Sequence, residues 1–244
     1  MDDVIRMLTA RLLMTPTAKL TCAATFLDAR NAMTTGGFEI VPKLEAGRVT
    51  AYWHTTPAGN VSEKKVALPH VVSDGCDIPS LIAVLAERRY VFVVGGDRVV
   101  GYVHFSDLNR PQVKVPLFVL FEELERVLVE LLEPSLTVAS LRAALPRQAA
   151  RLLKLHTERH DAGADHSLAS TLSFTEVLRA AQFFRHVVLE DPEIKLLGDF
   201  RNLVAHAGRS LVRHHDDVKD LAACQALLRQ LLARPATTHA PAPA

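Results

Sequence analysis

The chain has 244 residues and a formal charge of +1, from 28 Lys and Arg against 27 Asp and Glu. This length allows one large domain or two ordinary ones, and the charge balance excludes a surface that is basic overall. Cys22, Cys76 and Cys224 are scattered without a CxxC pair, which argues against a disulfide scaffold or a cysteine-built zinc site. Residues 1–6 begin acidic and apolar runs stay far below ~20 residues, so we expect a cytoplasmic protein without a signal peptide or membrane span.

The N-terminal half contains an internal repeat. Residues 47–57 match residues 97–107 at an offset of 50, with Arg, Val, Tyr and His identical in register. Each copy is preceded by a strand-like apolar run and a turn signal, and upstream of each pair lies a helical pattern, at 26–34 and 78–88. Each copy therefore predicts a helix, a strand, a turn and a second strand.

From Val115 onward the apolar period becomes helical. The stripe from Leu117 to Leu131 predicts an amphipathic helix that Pro134 ends. Further helices are predicted over 138–159, 171–188, 192–207 and 216–232, with Asp191-Pro192 as a helix start and Gly208 as a helix stop. Arg110-Pro111 and Val115-Pro116 indicate a boundary, which gives domains at 1–112 and 113–234 and a disordered Pro/Ala/Thr-rich tail at 235–244.

Arg201, Asn202 and His206 form the most informative motif, Arg-Asn-x3-His. Arg201 would bind a scissile phosphate, Asn202 would orient the histidine or the phosphate, and His206 would transfer a proton, which suits metal-free cleavage of RNA. The bare Arg-x4-His spacing recurs at 151/156 and 209/214, so the adjacent Asn supplies the specificity.

Helical geometry places Asn202 and His206 on one face, with a buried stripe predicted at Leu196, Phe200, Leu203 and Ala207. Arg201 lies about 140° from His206 around the helix axis, so one helix does not aim both at one phosphate. A second helix, or a second copy of this one, is needed to complete the site.

The repeat resembles a pair of cystathionine-β-synthase (CBS) motifs, βαββα units that pack in pairs and commonly bind adenosine nucleotides. The family's Gly-x-x-Thr-x-x-Asp pattern is met by Gly101 and Asp107, with His104 in place of the Thr; in the first copy His54 replaces the Thr and Pro57 the Asp. The resemblance implies one ribose site, and the candidate ligand-binding residues are His54, His104, Ser106 and Asp107. Two alternatives stay open: Asp107 caps the helix entering at 108, and the histidines fill the groove between the motifs instead of contacting phosphate.

Residues 115–233 resemble the HEPN superfamily, all-α domains that often carry an Arg-polar-x3-His ribonuclease motif. Residues 172–178 look like the segment that commonly precedes this motif. The resemblance implies a homodimer with a composite site in which Arg201, Asn202 and His206 are catalytic. The alternative is a capping or interface cluster in a non-catalytic domain.

Together these patterns predict an α+β CBS-pair module followed by an all-α HEPN-like helical bundle. The function expected from them is a ligand-regulated, metal-independent endoribonuclease, of use as a toxin or antiviral effector, with an adenine nucleotide as regulatory ligand. The partners expected are RNA, the nucleotide and a second copy of the chain, with no metal. The alternative is a non-catalytic nucleotide sensor whose helical domain mediates dimerisation or partner docking.

Overall fold

The computed structural model describes residues 8–56, 59–163 and 167–233. Residues 1–6, Pro57 and the predicted tail therefore lie outside the described residues. The chain divides into two compact units, one comprising residues up to Val113 together with Val212–Lys219, the other comprising Lys114–Leu211 and residues from Asp220 on. The predicted order, a mixed α/β region with sheets followed by helices, is confirmed.

The first unit contains seven strands, three α-helices and three short 3-10 helices among its described residues. In chain order they are α1 (Ala10–Leu13), β1 (Thr15–Pro16), a 3-10 turn (Thr17–Lys19), α2 (Phe26–Gly36), β2 (Ile40–Glu45), β3 (Arg48–Thr55), β4 (Val61–Lys65), a 3-10 turn (Leu68–His70), β5 (Val71–Ser73), α3 (Ile78–Glu87), β6 (Tyr90–Gly95), β7 (Arg98–His104) and a 3-10 turn (Phe105–Asn109).

The strands form two sheets, with orders β2-β3-β4 and β1-β7-β6-β5. All pairs are antiparallel except β5 and β6, which run parallel around the crossover helix α3. The second copy thus has the strand, helix, strand, strand order that the sequence predicts. The first copy departs from a βαββα unit, because the strand β4 follows β3 where a helix is expected.

The two hairpins of the repeat have the same register. Ile40 pairs with His54 and Tyr90 with His104, and a β-bulge follows Lys43 in one hairpin and the corresponding Val93 in the other. Both hairpins turn through two residues; Ala46 and Gly47 both have left-handed backbone in the first, whereas in the second only Gly96 does. The duplication in the sequence is therefore a duplication of backbone geometry.

A buried cluster joins equivalent positions of the two hairpins. Tyr52 is 1 % exposed, and its hydroxyl lies 3.1 Å from that of Tyr90, whose ring packs edge-on against it. Phe92 completes the contact with Tyr52 at 5.2 Å between ring centroids. Aromatic pairs of this kind add stabilisation beyond their buried area, so the hairpin contact is the centre of the unit. Other members of the cluster are Ile40, Val49, Val66, Val99 and Tyr102.

A second cluster covers the opposite face of the first hairpin. Val41 and Trp53 pack there against Ala29 and Met33 of α2, and the indole N–H of Trp53 donates to the carbonyl of Ala23 at 3.2 Å. The side chain of Thr25 caps this helix by accepting from the Asp28 N–H.

From Pro111 on, the described residues form helices and the segments that join them. Pro116 lies in the second turn of the first helix, Pro111–Leu132, where its missing N–H leaves only one carbonyl of the first turn without a partner. The helix therefore continues through Val115-Pro116. The predicted helix over 138–159 is two helices, interrupted at Leu145-Pro146, since proline disfavours the helical conformation of the residue before it. The helices are α4 (Pro111–Leu132), α5 (Val138–Ala144), α6 (Ala149–Asp161), α7 (Phe174–Phe183), α8 (Asp191–Ala205) and α9 (Asp217–Ala233), with a 3-10 turn at Ala169–Thr171.

Within the described ranges, no helix has the length and apolar character needed to cross a membrane.

Gly101 on β7 gives a test of the packing between this strand and the chain entering β1. A Cβ at this position would lie 2.5 Å from the sulfur of Met14 and 2.9 Å from its Cβ. We expect Gly101→Ala to lower the free energy of unfolding by about 1–3 kcal/mol through overpacking. Chemical denaturation checks this against Gly75→Ala, whose new Cβ would be 3.7 Å from the nearest side-chain atom; equal stability of the two variants would contradict the close approach.

Candidate functional site

A cavity of about 430 Å³ in the first unit gathers three of the four predicted ligand-binding residues. His104, Ser106 and Asp107 line it from the end of β7 and the turn that follows. This volume lies in the range of small-molecule sites. The other walls come from β1 and the chain after it, and from the segment joining α2 to β2: Thr15, Lys19, Leu20, Thr21, Gly37, Phe38, Glu39, Ile40, Pro42 and, from β7, Tyr102.

Asp107 is a capping residue as well as a wall of the cavity. One carboxylate oxygen accepts from the N–H of His104 at 2.9 Å, and the other lies 2.6 Å from the guanidinium of Arg110. The side chain is 15 % exposed. A carboxylate offers about four acceptor positions, so two remain for ligand hydroxyls. Asp107 therefore closes the capping box of the 3-10 turn Phe105–Asn109, which begins before it, and does not cap a helix entering at 108.

Arg110 ties this turn to the opposite wall of the cavity. Its guanidinium donates to the carbonyl of Leu13 at 2.7 Å and to the hydroxyl of Thr15 at 3.4 Å, besides its ion pair with Asp107. These bonds join the entry to β1 to the exit from β7, which are distant in sequence. The cavity walls are thus held together by a charge-assisted network.

His104 contributes a neutral ring. Its Nδ1 accepts from the N–H of Ser106 at 3.3 Å and lies 2.8 Å from the Ser106 hydroxyl, so the ring proton is assigned to Nε2. Burial lowers the pKa of His104, and the nearby carboxylates of Glu39 and Asp107 only partly offset this effect. The ring stacks on Tyr102 at 6.5 Å between centroids. At pH 7 His104 is therefore a hydrogen-bonding wall and not a cationic phosphate ligand.

The charged residues that the motif did not predict are Lys19 and Glu39. Lys19 is exposed, and Glu39 pairs with Arg89 at 3.0 Å. No motif or apolar period marks either residue in the sequence, because each lies in a segment that connects regular elements. Tyr102 had a signal, since Tyr is identical in both copies; burial raises its pKa, so its hydroxyl stays protonated.

His54 is not brought to this cavity. It lies on β3, paired with Ile40 and Ser62 across the sheet. Its partly buried Nδ1 has no hydrogen-bond partner among the described residues. The fourth predicted ligand residue therefore belongs to the other half of the repeat.

The helix that carries the Arg-Asn-x3-His motif differs from the prediction in two ways. It ends at Ala205, so His206 is an extended C-terminal cap residue and does not share a helical face with Asn202. Gly208 does not have the left-handed backbone of a helix-stop glycine. The buried stripe is also rotated from the predicted one and consists of Ile194, Leu197, Gly198, Phe200 and Val204.

This rotation places Arg201 beside the buried stripe. Its guanidinium pairs with Glu122 at 3.6 Å and Glu125 at 3.5 Å on α4, and its side chain is 31 % exposed. Burial raises the pKa of Glu125, partly offset by Arg201. Sequence patterns gave no sign of these partners, because two glutamates of an amphipathic helix read as a solvated face.

Lys114 fixes the chain just after α8. Its side chain is buried, and its ammonium donates to the carbonyls of His206 at 3.5 Å, Ala207 at 3.0 Å and Arg209. A lysine at a helix C-terminus is stabilised by the helix dipole and satisfies carbonyls that lack an intrahelical donor. His206 itself is exposed, so its backbone is fixed while its ring faces solvent.

The segment at 172–178 has a structural explanation. Glu176 accepts from the N–H and hydroxyl of Ser173 at 2.8 and 2.7 Å, which caps α7, and it also pairs with Arg151. These partners lower the pKa of Glu176 although burial opposes them. Arg151 is therefore held by this carboxylate.

Comparison with family models, curated proteins and solved structures finds no match for the chain. Over the residues described, no group of three or more His, Cys, Asp or Glu is arranged to hold a metal ion.

We expect Lys114→Met to release the segment after α8, because it leaves the carbonyls of His206, Ala207 and Arg209 without this donor. The cost should be about 2–5 kcal/mol in free energy of unfolding, with faster amide exchange at 206–211. Denaturation and hydrogen-exchange mass spectrometry measure both effects. Lys154→Met is the matched control, since Lys154 is 78 % exposed; equal losses in the two variants would contradict the anchoring role.

Proposed function

We propose that the chain is a nucleotide sensor whose first unit, a CBS-like pair, binds an adenine nucleoside monophosphate. The observation that carries this proposal is the cavity lined by His104, Ser106 and Asp107 together. Apolar side chains in the same wall, Phe38 and Ile40 among them, suit a base, and Asp107 and Ser106 suit ribose hydroxyls. The helical unit is then the output element.

The charge of the cavity favours a monophosphate over longer phosphate chains. Among its described lining residues Lys19 is the one full cation, against the carboxylates of Glu39 and Asp107. Glu39 and Asp107 are already ion-paired with Arg89 and Arg110, so Lys19 offsets a single phosphate group and each further phosphate would lack a counter-charge among the described lining residues. A Coulomb cost of about 1 kcal/mol implies roughly five- to tenfold weaker binding for the triphosphate.

We expect Asp107→Asn to weaken AMP binding about tenfold or more while the unit stays folded. The amide oxygen can still accept from the His104 N–H, but the negative charge that strengthens the bonds to ribose hydroxyls is lost. Titration calorimetry with AMP and ATP on the full-length protein measures this. The control is Asp97→Asn, a 79 % exposed carboxylate at the β6–β7 turn.

AMP affinity that is equal in the two variants would remove Asp107 from the site. Absence of binding by the wild type to AMP and ATP alike would overturn the sensor proposal.

A second function, metal-independent RNA cleavage by a HEPN-like dimer, is supported by the exposure of the motif. Asn202 and His206 face solvent at the end of α8, and the Arg201 guanidinium remains partly exposed. A second copy of the chain could complete such a site. In the present arrangement, however, a phosphate must compete with Glu122 and Glu125 for Arg201. We therefore propose that these carboxylates hold the motif in a resting state.

If so, the double variant Glu122→Gln and Glu125→Gln should cleave RNA faster than the wild type, because Arg201 becomes free to bind phosphate. Gel assays on total RNA in EDTA measure cleavage, with 2′,3′-cyclic phosphate ends expected. Adding His206→Ala to the double variant should abolish it. The control pair, Glu123→Gln and Glu130→Gln, removes two α4 charges that bind Arg126 instead.

Equal rates in the two double variants would exclude the resting-state role. Cleavage by none of the proteins would exclude the nuclease and leave the sensor.

A further inference from the structure

The repeat places a different set of side chains at the counterpart of the cavity. The offset of 50 maps the lining residues Leu20, Phe38 and His104 onto His70, Arg88 and His54. Two apolar wall residues are thus replaced by groups that can carry positive charge. The counterpart of Asp107 is Pro57, which lies outside the described residues.

Strand register brings these groups toward one face. Tyr52 and His54 lie two residues apart on β3 and share a face, and Lys64 on β4 is the direct cross-strand partner of Tyr52. The ring of His70 meets Tyr52 edge-on at 6.3 Å and stacks on Tyr90 at 5.1 Å.

Arg88 reaches the same neighbourhood from the end of α3. It has extended backbone and stands two residues before Tyr90, on which His70 is stacked. The positive charges of Arg88 and Lys64, and of His54 when protonated, all act on the His70 ring. Four groups from four segments therefore converge around Tyr52 and Tyr90.

The positive charge of this cluster is not balanced by the chain itself. Within the part of the chain that the structure describes, neither Lys64 nor Arg88 is ion-paired with a carboxylate. Glu39 is the acid whose charge reaches His54, and it is already bound to Arg89.

Two ring nitrogens in the cluster also lack partners. The Nδ1 atoms of His54 and His70 are buried, and over the described residues neither has a hydrogen-bond partner. Buried polar atoms without partners are uncommon in folded proteins and call for an explanation. The two unpartnered histidine rings and the two unpaired cations together point to an anionic ligand for this cluster.

We propose that His54, Lys64, His70 and Arg88 form a binding site for a phosphate-type oxyanion, separate from the nucleoside cavity. The ligand class follows from the donors: a guanidinium, an ammonium and two imidazoles supply hydrogen bonds and charge, with no carboxylate for ribose hydroxyls. The site does not depend on nucleotide binding at Asp107 or on RNA cleavage.

Binding at this site is linked to protonation. Burial, followed by the charges of Arg88 and Lys64 on His70 and of Lys64 on His54, lowers the pKa of both rings. Both are therefore neutral at pH 7 in the free protein. The rings of Tyr52 and Tyr90 also contact His70, and burial raises the pKa of Tyr90. An anion favours the charged imidazole, so binding takes up protons and strengthens as the pH falls from about 8 to 6.

The test is titration of the full-length protein with inorganic phosphate and pyrophosphate, followed by calorimetry and by the NMR signals of the histidine rings. The double variant Lys64→Gln and Arg88→Gln should bind pyrophosphate at least about tenfold more weakly than the wild type. Lys65→Gln, one residue along β4 and on its opposite face, is the matched control and should bind like the wild type. Circular dichroism verifies that all variants are folded.

Shifts of the His54 and His70 signals with pyrophosphate identify a free anion as the ligand. Shifts with AMP alone identify the phosphate of a nucleotide, and Asp107→Asn should leave them unchanged. No shift with any of these ligands would overturn the site, as would equal weakening by Lys65→Gln and the double variant.

Discussion

The packing of the two hairpins against each other is the constraint on which the first unit depends. Tyr52 and Tyr90 share a hydroxyl contact and an edge-on ring contact in its buried centre, beside Phe92. Because both hairpins have the same register and the same bulge, residues 50 positions apart occupy equivalent places. Duplication of the backbone thus creates two equivalent sets of positions, and the side chains at these positions decide what each set can bind.

Sequence patterns predicted the repeat well because alternation, turn glycines and register leave a local signal. They also pointed to His104 and Asp107, which line the cavity of the first unit. The patterns failed where the outcome depends on contacts distant in sequence: Arg110 binding Leu13, and Arg201 binding Glu122, involve partners that no local spacing reveals. The helix over 192–207 was read two residues too long and with the wrong buried stripe, because tertiary burial selected the Ile194 and Leu197 face.

Buried or partly buried charged side chains connect segments that are distant in sequence, through hydrogen bonds and ion pairs. Lys114 holds three carbonyls after α8, Glu176 joins α7 to Arg151, and Arg110 joins the two ends of the cavity wall. Such groups lose hydration on folding, so each is costly if its partners are removed. The main effect of each group is therefore to fix one local geometry, and its contribution to net stability is small. These ion pairs and hydrogen bonds fix the shape of the cavity and of the motif segment.

Charge also distinguishes the cavity at His104 from the cluster at His54. The cavity at His104 is lined by one lysine and by two carboxylates that are ion-paired with Arg89 and Arg110, whereas Lys64 and Arg88 in the cluster at His54 have no carboxylate partner among the described residues. A ligand with sugar hydroxyls and little negative charge suits the first, and a compact anion suits the second. Since the backbone framework of the repeat is duplicated, this difference arises from a few substitutions, chiefly Leu20 against His70 and Phe38 against Arg88. A symmetric fold thereby acquires two sites that do not compete for one ligand.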